Sequence, residues 1–306
     1  METDFKILSA QEEQELNRDE LIEYYVKLRN YYKELPIDKM NIKIKEFIHP
    51  FLLQCVKIYF NGKVEILNSE ELENINTPCI YVFNHSNGYD FPIAASVVEK
   101  HFHILADFTM KQDKLVDFAN RINGVVYVDR KSKTDRQESK NKLLSLLSNN
   151  KNIFIFPEGT WNLSPNLMML PLNWGVIDIA KISESPIVPA VIEYRDNKAY
   201  AKIGKPIYVD IEDNKGTKIN ELTDTMATLK WEIMEKFPIE KRKDLQDNYY
   251  DIYLEQILNT YKKLDVDYEQ SVILQKYPTS DEVYEPIKKI KINKNNAFLF
   301  NRNYGK

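Results

Sequence analysis

The chain has 306 residues, 43% hydrophobic and 29% charged, with 8 glycines and 13 prolines, which excludes a low-complexity or fibrous polymer. Its net charge of −4 gives no footprint for nucleic acid across the molecule as a whole. A chain of this size can bury a full core as one large domain, or one domain with helical appendages.

Residues 1–40 are acidic and polar, with Leu21, Tyr24, Tyr25, Leu28 and Tyr32 at helical spacing until Pro36 ends the pattern. A second helix is expected over 42–60, carrying Ile44, Phe47, Ile48, Phe51, Leu52, Cys55, Val56 and Tyr59. Pro50 lies inside it and predicts a kink or a break. Lys43, Lys45 and Lys57 outweigh Glu46 there, so this helix either packs on the core or lies on a membrane surface. From residue 62 the period changes. β-rich runs occur at 63–67, 79–83, 124–128, 152–156, 187–194 and 200–209, with helical patterns between most of them. Residues 132–150, with Leu143, Leu144, Leu146 and Leu147, form the clearest of those helices. The alternation predicts an α/β fold: one mixed, largely parallel sheet covered on both faces, with N-terminal helices and a C-terminal helical extension. The expected divisions are 1–61 (helical), 62–212 (α/β core) and 213–306. The last division holds helices at 218–236 and 239–263 split by Pro238, then an irregular stretch. Residues 286–306 carry Lys288, Lys289, Lys291, Lys294, Arg302 and Lys306 around Phe298, Leu299 and Phe300, with no acidic residue. That tail reads as a solvated charge run or as a dock for an anionic lipid surface.

Cys55 and Cys79 are too few for a disulfide framework and read as two buried thiols in a reducing compartment. Neither a secretory leader nor a run of about 18 apolar residues occurs, so the expected location is cytoplasmic, with any membrane contact peripheral on the inner face. His101 and His103 alternate with Phe102 and Ile104, so a strand there would place both rings on one face. They lack a third ligand at metal-site spacing and read as structural; His49 has no partner in sequence.

The segment Asn84-His85-Ser86-Asn87-Gly88-Tyr89-Asp90 follows directly on the apolar run 80–83. A polar turn at the end of a buried strand is where α/β proteins place reacting groups. Neutral imidazole is a base available near neutral pH, and a carboxylate on its second nitrogen fixes the tautomer. Asp90 reaches His85 only if a turn or first helical turn brings it back, which Gly88 would ease. A His and an Asp five apart are weak evidence alone. Three further blocks accompany them in order: Gly124-Val125-Val126-Tyr127-Val128-Asp129-Arg130, Phe156-Pro157-Glu158-Gly159-Thr160 and Ile187-Val188-Pro189-Ala190-Val191.

In these four blocks the sequence resembles the lysophospholipid acyltransferase family, over about residues 62–210. The resemblance implies transfer of a fatty acyl group from acyl-CoA or acyl carrier protein to the hydroxyl of a lysophospholipid, glycolipid or other polar acceptor. It implies His85 as general base and Asp90 as its partner, with no metal or other cofactor. It implies acceptor-binding roles for Glu158, Gly159 and Thr160 and a phosphate role for Arg130; Asn84 and Trp161 are further candidates for acceptor binding. From the residues alone, Arg130 reads equally as a surface ion pair with Asp129 or Asp135. Three positions where the family often carries a cation hold Trp161, Asp107 and Asn173 here. This points to an acceptor other than lysophosphatidate, with Trp161 and Trp174 packing on a sugar or another neutral head, or serving simply as core. The alternatives are an acyl-thioester hydrolase and a non-catalytic lipid-binding protein on the same fold.

Overall fold

The computed structural model describes residues 5–34, 39–59, 62–73, 78–108, 114–162, 167–195 and 198–238, with a few single positions besides. The helix expected at 239–263 and the basic tail lie outside the described residues.

Helix α1 (Ala10–Glu15) opens with a capping box in which Ser9 and Glu12 satisfy each other's backbone N–H. Helix α2 (Arg18–Glu34) buries the expected Tyr24, Tyr25, Leu28 and Tyr32. Full burial of Leu28 contributes about 1.5–3 kcal/mol relative to exposure. Helix α3 (Lys39–Tyr59) runs unbroken through Pro50, so the expected break does not occur. An internal proline costs about 3 kcal/mol; here it is exposed, and packing of α3 on the helices Asp90–Val98 and Lys114–Asn123 holds it together.

The core then alternates: β1 (Lys63–Ile66), α4 (Glu70–Glu73), β2 (Ile80–Phe83), α5 (Asp90–Val98), β3 (Phe102–Asp107), α6 (Lys114–Asn123), β4 (Val126–Val128), α7 (Lys133–Ser148), β5 (Asn152–Ile155), α8 (Gly175–Ser183), β6 (Ile187–Arg195), β7 (Lys198–Ile203) and α9 (Lys215–Lys236). The seven strands form one sheet in the order β1-β7-β6-β2-β5-β3-β4. The β6–β7 hairpin is antiparallel, with Ile192 opposite Ala201, and the other neighbouring pairs are parallel. Strand β7 stops at Ile203, short of the expected 209. Gly204 turns the chain hard against Pro189, where a Cβ would come within 2.9 Å, and only an isolated bridge from Ile187 to Ile207 continues the pairing.

Both faces of the sheet are covered, as the buried strand pattern requires. On one face Ile80, Val82, Ile153, Ile155, Ile187 and Val191 pack with α7, α8 and α9, and α2 lies outside α7 and α8. On the other face Tyr81, Phe83, Phe102, Phe154 and Val188 pack with α5, over which α3 lies. Helix α9 supplies Leu222, Met226 and Ile233 to the first of these clusters. Cys79 is buried, its thiol pushed up to about 11 by desolvation, whereas Cys55 is exposed on α3, contrary to the expectation for both thiols.

Candidate active site

Strands β2, β5, β3, β4 and β6 run parallel, so the residues just beyond their C-terminal ends meet along one edge. His85 follows β2, Phe156–Thr160 follow β5, Asp107 ends β3, Arg130 follows β4 and Tyr194 stands near the end of β6.

Asp90 is the first residue of α5 and is fully buried. Its Oδ2 accepts from His85 Nδ1–H at 2.9 Å, from the Asn87 N–H at 2.8 Å and from the Ser86 N–H. Its Oδ1 accepts from Ser86 Oγ at 3.1 Å and Tyr194 Oη at 2.5 Å. The return turn predicted from the spacing is therefore present, but Gly88 is not what permits it. Gly88 lies outside the positive-φ region, and a Cβ there would meet only Trp161, at 4.0 Å. The carboxylate itself gathers the turn by capping its backbone N–H groups.

An ionised carboxylate only accepts, so Nδ1 carries the proton and Nε2 keeps its lone pair. The His85 side chain is 22% exposed. Phe156 stacks on the ring at 4.0 Å between centroids and 11° between planes, and Trp161 meets it edge-on at 6.0 Å. With Asp90 on one nitrogen and an aromatic on one face, the ring is left to present Nε2. This geometry suits a general base, which takes a proton from a group within hydrogen-bond reach.

Glu158 is buried, and its carboxylate joins two loops. Oε1 accepts the His85 N–H at 2.9 Å and Oε2 accepts the Leu170 N–H at 2.8 Å. Burial raises its pKa, opposed by the Lys230 charge and those two hydrogen bonds. Asn84 is likewise committed to the scaffold: its amide donates to the Ile192 carbonyl at 3.1 Å and accepts the Ile192 N–H at 2.7 Å, latching β2 to β6. Both side chains expected to touch the acceptor thus hold the His85 backbone in place.

Gly159 has φ +70°, a conformation glycine adopts without strain, and a Cβ would lie 2.8 Å from Asn173 Nδ2. Asn173 in turn donates to the Pro157 carbonyl through both its side chain and its backbone, each at 2.8 Å. Arg130 donates from Nε to Asp107 at 2.7 Å and from Nη1 to the Gly159 carbonyl. Its ion-pair partner is therefore Asp107, and neither Asp129 nor Asp135; Asp135 instead accepts the Asp129 N–H. Trp161 is part-buried beside His85, Thr160 is part-buried in the loop after β5, and Trp174 is exposed at the start of α8. Two site residues escape a reading of the sequence. Phe156 stands in a motif block whose pattern gives it no role, and Tyr194 lies a hundred positions from its partner.

The other histidines gather at the opposite edge. His101 and His103 share a face of β3 as expected, with ring centroids 4.8 Å apart, and His49 meets His101 at 5.0 Å. They bond to Asn123 and Gly124 at the turn before β4. Among the described residues no group of histidine, cysteine or carboxylate side chains could hold a metal ion.

Comparison with known proteins finds similarity to acyltransferases. The Acyltransferase family model matches residues 63–193. The 1-acyl-sn-glycerol-3-phosphate acyltransferase of Saccharomyces cerevisiae is 25% identical over 150 residues, covering 49% of each chain. The enzyme of the same name from Salmonella typhimurium is 26% identical over 143 residues, 45% of this chain and 56% of its own. The matches thus span about half the length of these relatives. The crystal structure of the 1-acyl-sn-glycerophosphate acyltransferase PlsC from Thermotoga maritima superposes with a TM-score of 0.54 at 18% identity, over 71% of this chain and 91% of that one, and shows a shared fold. Residues 63–193 thus match the Acyltransferase family model, on a fold shared with the Thermotoga maritima enzyme.

Proposed function

We propose that this chain is an O-acyltransferase that moves a fatty acyl group from an acyl thioester, on CoA or acyl carrier protein, to an acceptor hydroxyl. The observation that carries the proposal is the His85 Nδ1–Asp90 Oδ2 hydrogen bond of 2.9 Å, from a part-exposed imidazole to a fully buried carboxylate. His85 Nε2 takes the acceptor's proton as its oxygen attacks the thioester carbon. The tetrahedral intermediate collapses with loss of the thiolate, which takes that proton from the imidazolium. Asp90 orients the ring and stabilises its charged form. The thioester is already activated, so the reaction calls for no metal or organic cofactor.

The test is to incubate the purified chain with acyl-CoA and with acyl carrier protein against a mixed acceptor panel, reading product mass. His85→Ala is expected to lower transfer by about 10²–10⁴, the usual worth of a general base. Transfer unchanged in that variant would remove His85 as the general base, and no transfer by the unaltered chain would favour a lipid-binding role. Free fatty acid released without acceptor, as fast as transfer, would make the chain a hydrolase.

One observation favours an acceptor other than lysophosphatidate: the Arg130 guanidinium is paired with Asp107 and the Gly159 carbonyl. A phosphate dianion binding there would have to compete with a resident carboxylate. Contact with lipid fits the same reading, since α3 displays Phe47 and Phe51 at its surface.

A further inference from the structure

The donors to Asp90 fall into two groups. His85, Ser86 and Asn87 lie within five residues of it in the same turn, and any chain that folds this turn would supply them. Tyr194 comes from β6, 104 residues away, and one position beyond the end of the matched family segment. We propose that Tyr194 is a positioning residue of the acyl-transfer site: its hydroxyl holds Asp90 as an acceptor-only anion and thereby sets the proton affinity of His85.

The argument is one of valence. A carboxylate offers about four lone-pair positions. Asp90 Oδ2 receives three N–H bonds, two from the backbone and one from the imidazole, and Oδ1 receives two hydroxyl bonds, so without Tyr194 one position on Oδ1 would stand open. These donors all favour the charged carboxylate, so when Nε2 takes up a proton the one on Nδ1 does not cross the 2.9 Å bond to Asp90, and the imidazolium keeps its charge until it protonates the leaving thiolate. Each donor also withdraws negative charge from the carboxylate that faces the ring. Burial and the neighbouring Asp90 charge push the Tyr194 phenol well above its ordinary range, so it remains a donor throughout the working pH.

The position of Tyr194 is secured from two sides. Two residues earlier, the Asn84 amide grips the Ile192 backbone and ties β6 to the end of β2. One residue earlier, on the opposite face of the strand, Glu193 is buried between Lys230 and Arg195, each at 3.2 Å. The hydroxyl is thus a rigid brace from the sheet onto the first turn of α5.

The inference rests on the proposed function, but its test includes a readout that needs no substrate. Full-length protein labelled with 15N-histidine is titrated by NMR, the His85 signal being assigned by its loss in His85→Ala. Burial holds His101 near 3 and His103 near 4 and lowers His49, and the difference spectrum against His85→Ala separates their signals from that of His85. Tyr194→Phe removes one oxygen, leaves more charge on Asp90, and is expected to move the His85 midpoint to higher pH by about half a unit. The acid limb of kcat/KM moves with it, and kcat falls about tenfold with KM unchanged, because Tyr194 steadies Asp90 without touching substrate. Tyr81→Phe is the control: it removes a buried hydroxyl turned to Cys79 and should move neither readout. An unmoved His85 midpoint in Tyr194→Phe, or an equal displacement in Tyr81→Phe, overturns the proposal. Absence of acyl transfer would overturn the proposed function and leave the titration readable.

Discussion

Asp107 and Arg130 are paired at the rim of the site, and under the proposed function this pair bears on which headgroups the rim would tolerate. Charge-assisted hydrogen bonds contribute about 1.5–3 kcal/mol each, so releasing Arg130 from one carboxylate is a large local change. Asp107→Asn keeps the side-chain volume and removes the competing charge. It is expected to raise turnover of a phosphate-bearing acceptor relative to a neutral one by about tenfold, read as a ratio of kcat/KM values. An unchanged ratio would remove Arg130 from the specificity argument. The same scale shows how a sequence pattern can be right about a residue's importance while leaving its role open. Asn84 and Glu158 stand in the motif blocks, yet their polar atoms are committed to the Ile192, His85 and Leu170 backbones. No local pattern announces such long-range bonds.

Among the elements, α3 combines two faces. Ile42 and His49 are buried toward the core, whereas Phe47 is 87% exposed and Phe51 70% exposed. Exposed Ile44 and Lys43 stand beside them on the same helix. Large aromatic side chains held in water with lysine nearby suit the interface of an anionic bilayer. Phe47→Glu with Phe51→Glu is expected to reduce sedimentation with anionic vesicles about tenfold or more while leaving the melting temperature within a few degrees, since neither ring packs on the core. Equal sedimentation of the double variant would remove α3 as the contact. Read from sequence, packing on the core and lying on a membrane are alternatives for this helix. The tertiary structure makes them compatible, because an amphipathic helix on a surface has a side for each.

Across the whole molecule, the cluster of His49, His101 and His103 makes stability depend on acid. An ordinary histidine titrates near 6.5, and desolvation holds His101 near 3 and His103 near 4 in the folded chain. Between those values the unfolded chain binds more protons than the folded one, so stability is present above 6.5 and falls as pH drops toward 4. A midpoint displaced by one pH unit between the folded and unfolded chain corresponds to about 1.4 kcal/mol. His103 alone is therefore expected to remove about 2–3 kcal/mol by pH 4, less where coupling to His101 and His49 spreads the loss. Chemical denaturation from pH 7 to 4 measures the slope, and His103→Gln should flatten part of it. A slope unaltered by that substitution would assign the acid sensitivity elsewhere. Because the cluster lies at the edge opposite His85, this loss should be separable from the pH profile of turnover.

The sequence by itself determined the sheet and the pairing of His85 with Asp90. Runs of apolar β-formers separated by helical periods admit only a sheet buried on both faces, and a polar turn after β2 puts His85 and Asp90 at its edge. Periodicity and local turn chemistry act over a few residues, so they are visible in a linear chain. Only the tertiary structure decided what surrounds that pair: that Tyr194 closes the last acceptor position of Asp90, that Phe156 covers the imidazole, that Asp107 occupies Arg130, and that Pro50 does not break α3. Those outcomes depend on which strands become neighbours and which helices pack together. Contacts between residues a hundred positions apart are set by the closing of the sheet, and nothing in either local segment encodes them.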